Sequence, residues 1–404
     1  MTHPAPAGVG PARSAAGAPA PLTRPAPGTL VARRAIVDAV PPATWDALAS
    51  RNPWATPFAR WAFHRAWWDG YGENAHDETV LVVDPAAEAR GDAALVAIVP
   101  LMHRHGVEPT DAARHTMLRR ESDEALTPIA PAAKVVFFGA SYHADYATVL
   151  ADPSDLPAVA EALVDLLASD AGPFDAHPDP WDIVDLRRLR DGDPALDALR
   201  SAFSVRAAAA GWDVRVEAED VCPVATLPAD ADIEAFLGTL GKKERHEIRR
   251  KVRRAEAAGS IDLVPSADPL ADLDAFVDLH QKRWGAEGLF PPTEGGAMSR
   301  RFFARLIELL APDGTLDLRF LEIDGRRIAA GVGFADASSV YYYNAGVDPD
   351  ARELSPGVVM VERYVRGALQ RGKRRLDFLR GDEAYKYEWG AVDEPIRRLL
   401  VVRT

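Results

Sequence analysis

The sequence predicts an α/β protein with a mixed sheet, built from two halves that share one order of elements. Each half presents three successive strand patterns, then an amphipathic helix, then a further strand. The length of 404 residues is enough for two or three domains of ordinary size. The amino-acid sequences of the two halves show no repeat. We therefore predict that the halves share an architecture, on the basis of the order of their elements alone.

The first half begins with two amphipathic segments, and the second of these carries three tryptophans. Two apolar runs separated by a polar loop with proline and glycine then predict a hairpin of strands. Apolar residues at helical and strand spacing predict the rest of this half. The predicted elements are helices at about 43–50, 58–69, 156–167 and 196–210, and strands at 79–83, 94–102, 134–139, 181–186 and 212–217.

The second half repeats this order after additional helical segments. Alternating apolar residues predict a strand at 316–323, and Asp324-Gly325 predicts a tight hairpin turn because both positions favour positive φ. The division between the halves is predicted near 222–228, which gives domains at 29–225 and 226–404. The other predicted elements are strands at 328–334, 340–346, 374–379 and 396–402, and a helix at about 356–371.

Bulk composition excludes several classes of protein. The single cysteine, Cys222, excludes an internal disulfide and a cysteine-based zinc site, and it fits a reducing, cytoplasmic location. No metal site is predicted. No apolar run approaches the roughly 18 residues of a membrane helix, so no membrane span is expected. The net charge of −13 excludes a general nucleic-acid binder, which needs an excess of Lys and Arg.

Residues 1–28 are predicted to form a disordered tail rich in proline and alanine. They hold seven prolines, four glycines and eight alanines, without the basic start and apolar run of a signal peptide. Such a segment cannot bury enough surface to offset the entropy lost on ordering.

The helix start at Ser355-Pro356-Gly357 is the first candidate ligand site. Ser355 suits an N-cap, Pro356 suits the first helical position, and Gly357 has no side chain to block a ligand. Unpaired N–H groups and a partial positive charge at a helix start suit a pyrophosphate, although Ser-Pro-Gly is also common as simple capping. The equivalent helix of the first half begins at 151–155 with two acids and no glycine, which would repel phosphate. If only one half is active, the second half is therefore predicted to be that one.

A second candidate is the segment 241–254, which contains eight Lys and Arg residues in an acidic chain. Ile248 and Val252 mark an apolar stripe, so the segment is predicted to be an amphipathic helix lying on its domain. Two interpretations remain open. The helix either presents a solvated charged face or binds the phosphates of CoA, of a phosphorylated acceptor or of tRNA.

A third candidate is the segment 376–389, which combines a short strand with a polar, aromatic turn. Acylation of an amine or hydroxyl needs a proton acceptor near the nucleophile and a proton donor to the leaving thiolate. A surface ion-pair cluster is the alternative, and Asp377 alone fits a buried structural carboxylate. The candidates are Asp382 and Glu383 as proton acceptors, Tyr385 and Tyr343 as donors, and Lys386 as a cation that binds an anionic substrate.

These segments resemble the GNAT-type acetyltransferase domain of BioF2-like and CelD/BcsL-like proteins. The chain is similar also to the Fem-type aminoacyl transferases, which pair two GNAT-like domains and use aminoacyl-tRNA. The matching features span about 235–390: Lys-Lys-x-Arg…Ile-Arg-Arg from Lys242, Trp284, Gly-x-Gly-Phe from Gly331, Tyr-Asn at 343–344, Ser355-Pro356-Gly357, and Asp377-Phe378…Gly381-Asp382…Tyr385-Lys386.

The resemblance implies two GNAT-like domains in tandem, and we expect the N-terminal one to be degenerate. It implies direct transfer from acetyl-CoA or another acyl-CoA to an amine or hydroxyl of a small molecule, sugar or envelope precursor. The implied donor-binding residues are Asn344, Ser355, Gly357 and Val358, and the implied substrate-binding residues are Lys242, Arg245, Arg249, Trp284, Arg380 and Lys386.

Two alternatives remain open at this stage. One is Fem-like transfer that depends on aminoacyl-tRNA, with tRNA as the partner. The other is a non-catalytic binding protein that keeps the GNAT fold, because the loop from Arg352 to Gly357 supplies one glycine where the common GNAT pattern has two. The acceptor, the acyl length and the oligomeric state are not predicted.

Overall fold

The structure is a computed structural model that describes residues 29–104, 126–130, 132–169 and 181–403. The predicted disordered tail, 1–28, lies outside the described residues. The predicted helices and strands occur in the expected order, with additional short elements before and between them. The first half contains β1 Val31–Arg34, α1 Pro42–Ala49, α2 Trp61–Tyr71, β2 Ala75–Asp77, β3 Val80–Val83, α3 Pro85–Ala89, β4 Leu95–Val99, β5 Leu101–Arg104, β6 Val135–Phe138, β7 Leu150–Ala151, α4 Leu156–Ala168, β8 Ile183–Arg190, α5 Pro194–Ala210 and β9 Asp213–Thr226.

The second half begins with a helical region and continues into a three-stranded meander. Its Asp324-Gly325 turn has φ values of 47° and 79°, as the sequence predicts. The elements are α6 Ile233–Thr239, α7 Lys242–Ala258, β10 Ile261–Pro265, α8 Leu273–Trp284, α9 Glu294–Leu310, β11 Leu316–Ile323, β12 Arg326–Ala335, β13 Ser339–Val347, α10 Pro356–Gln370, β14 Arg375–Asp377, α11 Ala384–Tyr387 and β15 Val392–Val402.

One large mixed sheet runs through both halves, in the order β10-β11-β12-β13-β14-β9-β15-β8-β6-β5-β2. Two of its strand pairs are parallel, β13 with β14 and β6 with β8. In each half a helix, α10 or α4, lies in the connection between the two parallel strands. The repeated order predicted from the sequence is therefore present as a repeated topology.

The halves interlock through β9 and β15. β9 is much longer than the predicted 212–217 strand, and it pairs with β14 of the second half. β15 comes from the second half, yet it lies between β8 and β9 of the first. The proposed division at 225/226 therefore falls within a strand of the shared sheet.

The single strand predicted at 94–102 is wrong, because Pro100 divides it into β4 and β5. Proline has no N–H to donate to a ladder, so it interrupts pairing. β4 pairs with β3 and β7 in a smaller sheet, whereas β5 pairs with β2 and β6 in the large one. Residues 95–104 thus contribute one strand to each of the two sheets.

Helix α2 of the first half packs on α9 of the second. A Cβ placed on Gly70 would lie 2.8 Å from the Cβ of Phe302, so glycine allows this close approach. Phe63 and Trp67 of α2 share a buried cluster with Phe302. The contact fixes the first half against the meander of the second, next to the cleft described below.

Candidate functional site

Strands β13 and β14 separate near the middle of the large sheet. Their parallel pairing covers only Ser339–Tyr341 and Arg375–Asp377. β13 continues beside β12, whereas the chain after Asp377 turns at Leu379, where φ is 58°. The separation opens a cleft of about 490 Å³, which we call the central cleft. Open α/β sheets commonly bind ligands beyond the carboxyl ends of their parallel strands.

The central cleft brings together eight candidate residues that come from separate segments of the sequence. Four residues that precede residue 226 line it as well, so the cleft is not built by the second half alone. The eight candidates are Tyr343, Asn344, Trp284, Arg380, Asp382, Glu383, Tyr385 and Lys386, and the four earlier residues are Tyr142, His143, Asp145 and Asp220.

A second cavity of about 470 Å³, which we call the helix-start groove, lies at the beginning of α10. It shares Arg283, Tyr342 and Tyr385 with the central cleft, so the two adjoin. Its lining has a net positive charge, since four basic side chains accompany one described carboxylate, Asp348. The lining includes the predicted Ser355, Gly357 and Val358 together with Lys251, Lys282, Arg283 and Arg352.

The first turn of α10 is open to this groove. A Cβ placed on Gly357 would meet nothing within 4 Å. The N–H groups of Val358 and Val359 donate to the carbonyl of Ser355, whereas no acceptor for the N–H of Gly357 lies among the described residues. A free amide, the partial charge of a helix start and nearby cations together suit a polyanion.

Ser355 occupies the N-cap position, but the prediction that its side chain caps α10 is wrong. Its backbone is left-handed, with φ 53° and ψ 52°, and its side chain makes no cap hydrogen bond. The hydroxyl accepts instead from Nη2 of Arg254 at 2.7 Å. A non-glycine residue in this conformation stores about 1–3 kcal/mol of strain, and such strain is typical of ligand-binding turns.

The basic helix α7 presents a different face to the groove from the one predicted. Lys242, Arg245 and Arg249 line neither cavity, and Arg249 instead pairs with Glu234. Lys251 lines the groove, and Arg254 bonds to Ser355. The apolar stripe of α7 packs in one buried cluster with α10, and this packing decides which cations face the ligand space. The sequence alone could not show that orientation.

Lys386 has a structural role in place of the predicted contact with an anionic substrate. Its side chain is 2% exposed. The ammonium donates at 2.9 Å to the carbonyl oxygens of Leu379, Arg380 and Gly381, which uses its three N–H bonds. It also lies 2.9 Å from Glu383. Lys386 therefore holds the shape of the turn that forms one wall of the central cleft.

Asp377 is the buried structural carboxylate that the sequence allowed. It lies where β13 and β14 separate, and it accepts from the Tyr146 hydroxyl and from the Leu379 N–H, both at 2.8 Å. Burial raises the pKa of Asp377 to about 6, although these two hydrogen bonds oppose the rise. The Asp377 carboxylate thus orients the turn, because it accepts from the N–H of Leu379, the residue at which the chain turns.

Stability should depend on pH through Asp377. Its pKa is about 6 when folded against a model value of 3.8, so the folded chain binds the proton more tightly and this group's contribution favours folding as pH falls. Asp377→Asn removes the titration. The unfolding free energy of the variant minus that of the wild type should therefore decrease by about 2 kcal/mol from pH 7 to pH 4. Urea unfolding across this range measures it, and a difference that stays constant would contradict the prediction.

Sequence reasoning missed His143, which reaches the central cleft from the loop after β6. Its Nε2 lies 2.7 Å from the Tyr71 hydroxyl, and its Nδ1 lies 3.3 Å from the Tyr343 hydroxyl. Burial, followed by the negative charge of Asp145, raises the pKa of Tyr343 well above its ordinary value. Tyr343 is therefore protonated near neutral pH and able to donate. No motif marks His143, because its partners lie on α2 and β13.

The equivalent position in the first half is closed. β6 and β8 pair in parallel, as β13 and β14 do. The segment after β6, however, stays bonded to β8, because the Ala147 N–H donates to the Arg188 carbonyl at 2.9 Å. A buried ion pair between Arg188 and Glu219 occupies the neighbouring space. These contacts support the expectation that the first half does not bind a donor of its own.

The described residues offer neither a candidate metal site nor a candidate membrane-spanning helix. His, Cys, Asp and Glu side chains nowhere gather there in groups of three or more that could hold a metal ion. None of the helices in the described ranges combines the length and apolar character needed to cross a membrane.

Among families of known proteins, one is similar to the second half of the chain. A model of the acetyltransferase (GNAT) domain matches residues 242–387, which include the basic helix and most of both cavities. No curated protein matches the chain significantly.

Solved structures match over almost the whole chain. A crystal structure of FemX aligns with a TM-score of 0.56 and 12% identity, covering 89% of this chain and 96% of that one. A conserved protein of unknown function from Bacteroides thetaiotaomicron aligns with a TM-score of 0.52 and 11% identity, covering 90% and 98%. A tandem GNAT protein from the clavulanic acid pathway aligns with a TM-score of 0.45 and 9% identity, covering 92% and 98%. At such identities the likeness concerns the fold alone. The predicted mixed α/β fold is confirmed, with a match to the GNAT domain in its second half and the repeated parallel pairing in its first.

Proposed function

We propose that the chain transfers an acyl group from acyl-CoA to an amine or hydroxyl acceptor in the central cleft. The observation that carries the proposal is the junction of two unlike cavities. A cationic groove at a helix start suits the phosphates of the donor, and the cleft that adjoins it holds several proton-transfer groups. The GNAT domain match covers this junction.

The donor is assigned to the groove and the reacting atoms to the cleft. Gly357 offers its backbone amide to the diphosphate, beside Ser355 and Val358, and Asn344 lies farther along β13 in the central cleft. In the reaction a bond forms between the acceptor nitrogen or oxygen and the acyl carbon, and the carbon–sulfur bond breaks. One proton must leave the acceptor, and one must reach the thiolate of CoA.

The proton-transfer roles go to side chains around the cleft. Asp382 and Glu383 are candidate acceptors, although Glu383 is also paired with Lys386. Tyr385 and Tyr343 are candidate donors because both line the cleft, and burial, which raises the pKa of both, keeps their hydroxyls protonated until the thiolate forms. Trp284 and Arg380 line the space left for the acceptor molecule. Four carboxylates line this space as well, which favours an acceptor that carries an amine.

Calorimetry and thiol release test the proposal on the full chain. We expect micromolar binding of acetyl-CoA by the wild type, and release of free thiol when glucosamine, spermidine or L-lysine is added. Absence of acetyl-CoA binding would overturn the acyl-CoA proposal. Binding without turnover for any amine or alcohol would instead favour a non-catalytic binding protein.

A second candidate, transfer from aminoacyl-tRNA, is favoured by the outer face of α7. Lys242, Lys243 and Arg253 are exposed on the helix that also supplies Lys251 to the groove. A nucleic acid extending from the groove could follow these cations, with affinity that falls steeply as salt rises. Binding of tRNA together with no binding of acetyl-CoA would support this candidate.

A pair of double variants separates the two donors. Lys251→Ala with Arg352→Ala removes two groove cations, and we expect acetyl-CoA to bind about 10-fold more weakly, or about 1.4 kcal/mol. Lys242→Ala with Arg249→Ala removes the same charge from outside the groove and serves as the control, with acetyl-CoA affinity unchanged. If tRNA is the donor, the control pair should weaken binding as well. Titration calorimetry at two salt concentrations measures both.

The finer placement of the chain is also a proposal. The motifs from Lys242 to Lys386 favour the BioF2-like and CelD/BcsL-like group within the GNAT fold. The single cysteine, Cys222, is buried and unbridged, which favours a cytoplasmic location.

A further inference from the structure

We infer that His143, supplied by the first half, positions Tyr343 as the proton donor to the leaving thiolate in the central cleft. The inference rests on the proposed acyl transfer and assigns one residue beyond it. It gives the first half, whose own cleft is closed, a part in the reaction of the second.

The hydrogen bonds around Tyr343 define the state of the imidazole. The Tyr343 hydroxyl donates to the backbone carbonyl of His143 at 2.9 Å, so its oxygen lone pairs are directed elsewhere. Nδ1 of the same histidine lies 3.3 Å from that oxygen. An Nδ1–H can donate to the oxygen, whereas a bare Nδ1 would face its lone pairs. The arrangement therefore selects the tautomer that carries its proton on Nδ1.

The other ring nitrogen has a partner that fits this tautomer. Nε2 of His143 lies 2.7 Å from the Tyr71 hydroxyl, which in turn lies 2.7 Å from Oγ of Ser299. With Nε2 bare, the Tyr71 hydroxyl donates to it and accepts from Ser299. A continuous chain then runs from Ser299 on α9 to Tyr343 on β13, and both tyrosine hydroxyls in it have a donor and an acceptor.

Packing holds the ring in place for this purpose. The imidazole stacks on Phe302, with ring centroids 4.3 Å apart and planes 17° apart. Tyr142 lies against it edge-on at 4.4 Å. Only 5% of His143 is exposed, yet it contributes to the lining of the cleft. A ring fixed on two sides can present Nδ1 to Tyr343 without reorganising during the reaction.

The proton balance uses only the two substrates and Tyr343. The acceptor nitrogen forms its bond to the acyl carbon and the carbon–sulfur bond breaks. The Tyr343 hydroxyl turns from the His143 carbonyl to the sulfur and gives it the proton. The Nδ1–H of His143 stabilises the phenolate that forms. The phenolate then takes the surplus proton of the acceptor nitrogen, so the net result is an amide and free CoA thiol.

The test compares His143→Phe, His143→Asn and Tyr343→Phe in the full chain, with acetyl-CoA as donor and the amine that the wild type uses best. Phenylalanine keeps the stacking on Phe302 but has no donor, whereas asparagine places an N–H near the position of Nδ1. We expect His143→Phe to lower kcat by about 10–100-fold, because a hydrogen bond to a charged group is lost. His143→Asn should recover part of this loss, and acetyl-CoA affinity should stay within twofold in all three variants.

Two further readouts separate positioning from a general structural role. The double variant His143→Phe with Tyr343→Phe should lose no more activity than Tyr343→Phe alone, since His143 acts through that hydroxyl. Long-range ¹⁵N spectra of labelled histidine, with His143→Phe used for assignment, should show Nδ1 protonated and Nε2 bare.

Four outcomes would overturn the inference: a protonated Nε2 with a bare Nδ1, a kcat for His143→Phe within threefold of the wild type, losses that multiply in the double variant, or no recovery by asparagine. Each can be observed while the wild type still binds acetyl-CoA and releases thiol, so the proposed function would survive it. A wild type that neither binds acetyl-CoA nor releases thiol would overturn both.

Discussion

Replacing Gly357 by glutamate should weaken acetyl-CoA binding by at least about 100-fold, or about 2.7 kcal/mol. The new carboxylate would lie in the helix-start groove, where the diphosphate is proposed to bind, and like charges brought together cost several kcal/mol. The fold should tolerate the change, because a Cβ at this position meets nothing within 4 Å. An acidic side chain in the first turn of a helix is even mildly stabilising.

The same substitution at Gly238 provides the control. Gly238 lies on α6, is exposed, and also has nothing within 4 Å of an added Cβ. Gly238→Glu adds the same charge and should leave acetyl-CoA affinity unchanged. Calorimetry measures the affinities, and thermal unfolding checks that both variants are folded. Normal binding by folded Gly357→Glu would mean that the donor phosphates lie elsewhere, and the proposed donor site would have to be abandoned.

Replacing Arg398 by methionine should destabilise the chain by about 3 kcal/mol. Arg398 on β15 is fully buried and bonds to both carboxylate oxygens of Asp185 on β8, at 2.6 and 3.0 Å. It also bonds to Glu217 on β9 at 2.9 Å. Removing one partner of a buried ion pair typically costs about 3–5 kcal/mol, because the other charge stays buried. We expect the low end, since Arg187 remains 2.9 Å from Asp185.

Arg397, the preceding residue on β15, supplies the matched control. It pairs with Asp191, and the two side chains are 30% and 49% exposed. Exposed pairs contribute about 0–1 kcal/mol, so Arg397→Met should change the unfolding free energy by less than 1 kcal/mol. Guanidinium unfolding of both variants measures the contrast. Equal destabilisation by the two changes would show that the buried ion pair contributes no more to the unfolding free energy than the exposed one.

The fold was largely predictable because its elements depend on local patterns. Helix α10 was expected at 356–371 and is found at Pro356–Gln370, and β11 was expected at the residues it occupies. The periodicity of apolar residues is a local property of the sequence, so helices and strands can be predicted from it without knowledge of the tertiary fold. The extension of β9 to Thr226 was not predictable in this way, because pairing with β14 and β15 sustains it.

The site was predictable in part, for a related reason. Tyr343 and Asp382 were singled out separately, and the parallel pairing of β13 with β14 brings their segments to one cleft. The role of Lys386 was not predictable, since it depends on three carbonyls that converge only after the turn has formed. His143 depends on contacts from both halves. The sequence thus indicates which residues carry chemistry, and only packing shows which of them meet.

The position of β15 between β8 and β9 has a consequence for biosynthesis. The ribosome synthesises both flanking strands, β8 and β9, long before residues 392–402. The sheet of the first half therefore lacks a strand between β8 and β9 until β15 has been made. Pairings between such distant segments form slowly. The two halves should consequently fold and unfold together, as one cooperative unit and not as two independent domains.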